Sequence, residues 1–184
     1  MSAIFFIANI LLGATILYYL SSYIFENNLG DSSFAGLSTA VKSVVGILIG
    51  IAYGFIVKKL GRWTSTVSYA VAGVTLLLLI WFPGQAMALV IGTVCGLTYK
   101  VLMSYNYGHG FSIVPASRAD DVSSITTAVY GLGSFLCTYF ATWLMQMMHT
   151  DLVTPTWYVA AIGFIIITVI DIFVALREKK SFGV

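Results

Sequence analysis

Polar residues in this chain are gathered into a few short breaks, and between the breaks lie six long apolar runs. The runs cover about residues 3–25, 34–57, 63–82, 85–107, 122–147 and 156–176. Each is near the roughly 20 apolar residues that a helix needs to cross a hydrocarbon core of about 30 Å. The first run has no basic leader and no small-residue cleavage site, so it reads as a span and not as a signal peptide. The breaks carry helix punctuation. Residues 26–33, ENNLGDSS, hold Gly30 as a breaker and Asp31-Ser32-Ser33 as candidate N-caps, and Pro83-Gly84 ends the third run. The pattern therefore predicts an all-α membrane protein, a single bundle of six transmembrane helices over residues 1–184.

Composition agrees with this pattern. Hydrophobic residues make up 59% of the chain and charged ones 9%, with a mean hydropathy of +0.96. A soluble domain carries about 25% charged residues, so a water-facing globule is excluded. Six spans use about 120–140 residues at roughly 20 each, which leaves short connections in a chain of 184 and no soluble domain. No basic cluster points to nucleic acid. Cys95 and Cys137 both lie in apolar runs and read as small core residues.

The charges that remain give an orientation. If successive loops alternate sides, one side receives Lys58, Lys59, Arg62, Arg118, Arg177, Lys179 and Lys180. The other receives Glu26, Asp31 and Asp151, with no Lys or Arg. The positive-inside rule then predicts both termini in the cytoplasm, in a plasma (inner) membrane.

Small residues in a row let helices approach closely in lipid. The second run has Gly46, Gly50 and Gly54 at four-residue spacing, in line with Lys42 and Ser38. The fourth has Gly92 and Gly96, in line with Lys100, Ser104 and Gly108. Gly46, Gly50, Gly92 and Gly96 are thus expected to pack helices. Ionisable residues inside spans are functional candidates. Lys42 shares the glycine face and should point into the bundle or a water-filled path, and the alternative is snorkelling outward. Lys100, with Tyr99 and Ser104 nearby, is expected to line a cavity. Asp171 reads as an interfacial anchor or a local ion pair, six residues before Arg177. In the first run Asn9 could bond across a helix interface or to a ligand, and Tyr18 and Tyr19 add polarity. His109 reads as a loop residue or a pH-sensitive gate.

Enzyme chemistry finds no support. His109 and Ser112 share one break, and no histidine in another span could activate the serine. HExxH, Cys/His clusters and a Walker loop are all absent, so no metal, cofactor or ATP-driven step is expected.

The most specific motif is residues 54–62, GFIVKKLGR. It resembles the signature loop of the major facilitator superfamily, G-x-x-x-D-[RK]-x-G-[RK]-[RK]. Gly54, Lys59, Gly61 and Arg62 match, whereas Lys58 stands in place of the Asp and Trp63 in place of the last basic residue. Residues 117–135, SRADDVSSITTAVYGLGSF, resemble the approach to a half's fifth helix. The resemblance covers the whole chain but only one six-helix half of such a transporter, and the degenerate signature favours the C-terminal half. It implies a secondary transporter in which two halves rock about a central path for a small-molecule solute. It also implies that the first and fourth helices line the path, which nominates Asn9, Tyr18, Tyr19, Tyr99 and Lys100 and puts Lys42 at the boundary between halves. The chain would then need a second six-helix half or a second copy of itself in the lipid bilayer. The alternative is a membrane assembly or regulatory protein that transports nothing.

Overall fold

The computed structural model describes residues 2–181, with side chains for residues 4–177, and contains helices and turns with no strand among the described residues. Seven α-helices follow in order: α1 (Ser2–Leu12), α2 (Leu20–Glu26), α3 (Ser32–Leu60), α4 (Trp63–Trp81), α5 (Gln85–Ile113), α6 (Ala119–Met147) and α7 (Thr154–Ser181). Five of them are long and apolar enough to cross a membrane, and the bent α1–α2 pair makes a sixth if it counts as one span. The chain is therefore a membrane-embedded helical protein. Lys179 and Lys180, counted above among the basic residues, have side chains outside the described residues.

Two differences from the sequence reading stand out. The first apolar run is not one straight helix. A π-helical turn at Gly13–Leu17 and a break at Tyr18–Tyr19 leave its two pieces bent by 46°. The π turn begins at a close approach, since a Cβ on Gly13 would lie 2.7 Å from both Cβ and Sγ of Cys137 on α6. A widened turn displaces carbonyls from their usual partners, and hydroxyls accommodate them. Thr15 donates to the Leu11 carbonyl at 2.9 Å, and Thr156 of α7 reaches the Ala14 carbonyl at 3.2 Å. The second difference concerns the fourth run. Its helix continues through Gly108, His109 and Gly110 to Ile113, so His109 is a helical residue and the loop begins at Val114.

The helices meet in pairs whose registers can be read directly. On α3 and α5, Ser38 lies against Gly92, Lys42 against Gly96, Gly46 against Lys100 and Tyr53 against Gly108. A constant offset along both helices means that they run parallel. A second parallel seam joins α1 to α6, where Asn9 lies against Gly133 and Gly13 against Cys137. By contrast α4 and α7 are antiparallel. Gly73 receives Phe164, Tyr69 lies alongside Phe164, and Ser65 and Thr66 meet Asp171. The core between these pairs is filled by Tyr23, Leu76, Leu79, Ile91, Leu102, Trp157 and Phe164, all fully buried. In lipid such side chains gain little by leaving solvent, so their contribution is dispersion in a close-packed interior.

Charged groups are spent on helix ends. Asp31 accepts a hydrogen bond from the Phe34 amide at 2.9 Å and so caps α3 as its sequence suggests. Glu26, at the end of α2, caps α7 from the preceding turn. It accepts from the Val153 amide, from the Thr154 amide at 3.2 Å and from the Thr154 hydroxyl at 3.0 Å. A carboxylate there also faces the positive end of the helix dipole. At the other end of the molecule Gly61, with φ 53°, closes α3 and turns the chain into α4.

The α3–α5 seam makes a differential prediction for the isolated chain in detergent. Gly96→Ala places a Cβ 2.6 Å from Lys42 Cγ and 3.1 Å from the Lys42 carbonyl oxygen. It should destabilise by about 1–3 kcal/mol, the cost of overpacking. Gly50→Ala meets nothing within 4 Å and should gain up to about 1 kcal/mol from helix propensity. Detergent-induced unfolding midpoints check the order of the two variants, and the reverse order contradicts this register.

Candidate functional site

The residues nominated by the sequence divide between two places. Asn9 is 1% exposed and sits inside the α1–α6 seam. Its amide nitrogen donates to the Tyr130 carbonyl at 2.7 Å and stands 3.5 Å from the Ser134 hydroxyl, while its Oδ1 is buried with no hydrogen-bond partner among the described residues. The first role considered for Asn9, a bond across a helix interface, is present in the structure. Tyr18 and Tyr19 flank the break between α1 and α2, the former 55% exposed and the latter half-buried.

The other nominated residues lie along α3 and α5. Lys42 is half-buried, with its stem on Gly96, and Lys100 lays its stem on Gly46. Each lysine thus crosses the glycine of the opposite helix, and the two seats are reciprocal. The Lys100 chain is close enough for both Cγ and Cε to lie 3.3 Å from where a Gly46 Cβ would be. Its residue is nonetheless exposed overall, and its Nζ stands 5.9 Å from the Tyr99 ring centroid, within cation–π range. Tyr99 is buried between helices, with its ring 6.0 Å from that of Tyr130, and its hydroxyl has no hydrogen-bond partner among the described residues. Ser104, one turn beyond Lys100, is half-buried. Next along α5, Tyr107 bonds Thr127 of α6 through their hydroxyls at 2.8 Å.

The glycines expected to pack helices behave differently from one another. Gly46, Gly92 and Gly96 receive side chains or backbone from the partner helix. Gly50 does not, because nothing lies within 4 Å of a Cβ there, and the same holds for Gly54. The reason is geometric. A four-residue repeat drifts around a helix of 3.6 residues per turn, so the row leaves the α5 interface after Gly46. Gly50 and Gly54 end up exposed, as does Ser43. On α6 the residues Ser124, Thr127, Gly131, Thr138 and Thr142 form a similar exposed stripe.

In the signature loop Lys58 and Lys59 are exposed, whereas Arg62 turns inward to Asp171 of α7 at 3.4 Å. Asp171 is 2% exposed and also accepts from the Ser65 hydroxyl at 2.9 Å and the Thr66 hydroxyl at 2.6 Å. Arg62 in turn donates to Ser65 at 2.9 Å. Asp171 is therefore neither a surface anchor nor a partner read from its own helix. It holds α7 to the start of α4. Two partners 109 residues apart leave no local sequence signal.

A cavity of about 410 Å³ opens between Phe5 of α1, Asn106, His109 and Gly110 of α5, and Val122, Thr126 and Val129 of α6. None of the nominated path residues lines it. His109 stacks on Tyr105, with centroids 5.9 Å apart and planes at 10°. Among the described residues no three His, Cys, Asp or Glu side chains converge as metal ligands. No family model matches the chain, and no curated protein or solved structure matches it.

The buried Asp171 cluster carries the next prediction. Arg62→Met leaves a carboxylate that is nine-tenths buried with two hydroxyls and no cation, and should cost about 3–5 kcal/mol. Asp171→Asn in the same chain should recover part of that loss. A double-mutant cycle on unfolding midpoints measures the coupling, and strictly additive effects contradict the pairing.

Proposed function

We propose that the chain forms one six-helix half of a secondary transporter of major-facilitator type, which moves a small solute by alternating access against a second six-helix unit or a second copy of itself. One observation carries this reading. Helices α3, α5 and α6 leave small and polar side chains uncovered in the interior of long apolar helices, where lipid-facing positions are ordinarily apolar. Gly50, Gly54, Lys100, Thr127, Gly131 and Thr138 are all exposed. Irregular or polar surface at membrane depth is tolerated where it meets protein or a water-filled cavity. A second unit across this face supplies both.

Two further features fit the reading. The first segment is broken at Tyr18–Tyr19, and discontinuous helices are common where transporters bind solute. The α3–α4 turn carries the signature-like residues, with Arg62 tied to α7 through Asp171. That tie lies inside this unit, so the loop's arginine stiffens one half, and Lys58 takes the position of the acidic residue that the family uses as a latch between halves. In this arrangement all six segments span a plasma (inner) membrane, with the α3–α4 turn and both termini on the cytoplasmic side. The alternative is a non-transporting assembly protein. It draws on the same exposed stripes, which would then serve only as a docking surface.

Reconstituted vesicles separate the two readings. The chain should show solute uptake only as a dimer or with a second half, and Lys42→Met with Lys100→Met should lower the rate at least tenfold without loss of folded protein. Uptake by a proven monomer contradicts the half-transporter reading. Unchanged uptake in the lysine variants contradicts the placement of the path.

A further inference from the structure

Lys42 and Lys100 are two cations with no carboxylate to neutralise them. Among the described residues the carboxylates are all engaged or distant. Glu26 caps α7 and Asp31 caps α3. Asp171 is held by Arg62, Ser65 and Thr66. Asp121 pairs with Arg118 in the first turn of α6, next to Asp120, and Asp151 lies in the turn before α7. Both lysines are well inside 29-residue helices. Lys100 is about 22 Å from the start of α5 and Lys42 about 15 Å from the start of α3, at 1.5 Å per residue. A charged residue at the centre of a membrane helix is costly unless it is paired or reaches water. Two such costs, with no carboxylate among the described residues to offset them, are retained at one seam.

The seam also controls where the ammonium groups can go. The parallel register sets Lys42 level with Gly96 and Lys100 one turn deeper, about 6 Å along the axis. Each stem is laid over a glycine of the other helix, so neither head is free to swing to the far side of its own helix. Beside them the Tyr99 ring lies under Lys100, and the Tyr99 hydroxyl is buried, unpartnered and next to Tyr130. Two lysines one turn apart on facing helices, with no carboxylate among the described residues set against them, form a pair of cations that lacks an anionic partner.

We infer that the solute is a small organic anion, whose carboxylate or phosphate group is bound between Lys42 and Lys100. This rests on the proposed solute path, and it specifies the charge of what the path takes. Bound anion neutralises the lysine pair, so the loaded site loses the burial cost that the empty site bears. A carboxylate from a second six-helix unit would offset the same charge, and the experiment separates that source from a solute.

The test uses the full chain purified in mild detergent, with binding read from the thermal unfolding midpoint. Acetate, benzoate, citrate and glucose 6-phosphate are compared with benzyl alcohol, benzylamine and glucose at equal ionic strength. At least one of the anions should raise the midpoint saturably, while the neutral and cationic probes do not. Lys42→Gln and Lys100→Gln should each weaken that response at least tenfold and leave the unliganded protein no less stable. The double Lys→Arg variant should keep the response. No stabilisation by any of the four anions, an equal response to a neutral or cationic probe, or an undiminished response in the Gln variants overturns the inference. Anion binding without flux in vesicles instead overturns the transport reading and leaves the charge assignment standing, and flux of a neutral solute does the reverse.

Discussion

Helices surrounded by hydrocarbon gain little from burying apolar surface, so their association depends on how closely backbones can approach. Here that approach is provided by glycine at particular registers, and most of the architecture follows from it. Gly92, Gly96 and Gly46 bring α3 against α5, Gly13 and Gly133 bring α1 against α6, and Gly73 admits Phe164 between α4 and α7. The seam with the greatest consequence is the first. It lets two lysine stems lie flat across the facing helix, which bulkier residues at Gly46 and Gly96 would prevent. A packing device thereby becomes a device for holding charge at depth.

The same constraint explains which surfaces stay open. Helix α3 packs chiefly against α5 and leaves Val44, Ile47, Leu48, Ile51 and Phe55 exposed, together with Gly50 and Gly54. Helix α6 is similarly fastened on its α1 side and open on the stripe from Ser124 to Thr142. Opposite these, α4 and α7 form the most extensively packed pair, secured at one end by Arg62 and Asp171 and along its length by Tyr69, Gly73 and Phe164. The α3–α5 and α4–α7 pairs are thus both closely packed, while α6 rests mainly on α1 with further contacts to α5 and α7.

Much of this was legible in the chain. The apolar runs placed the long helices, most ends to within a few residues, and ENNLGDSS marked a cap at Asp31-Ser32-Ser33, of which Asp31 serves. What was not legible has physical causes. The π turn begins at Gly13, whose close contact is with Cys137 of a distant helix, and nothing in the local sequence marks that contact. Gly50 looked equivalent to Gly46 because spacing alone ignores the slow rotation of a four-residue row around the helix. The partners of Asp171 lie on another helix, so proximity along the chain pointed towards Arg177. His109 read as a loop residue because the fourth apolar run ends at about Tyr107, although α5 runs on to Ile113. The lysines were identified as candidates from position alone, but their reciprocal seating needed the register.

The central claim is that the α5 surface below Lys100 faces water and not lipid. Ser104→Cys in reconstituted vesicles, exposed to a charged methanethiosulfonate reagent, addresses it directly. Such a reagent reaches only hydrated thiols, and the native Cys95 and Cys137 are buried and should stay silent. A cysteine at Ile166, exposed on α7, supplies the lipid-facing comparison. The account predicts rapid modification at position 104, slowed by a bound anion, and none at position 166. An unreactive thiol at 104, in protein that unfolds at the normal temperature, would contradict it.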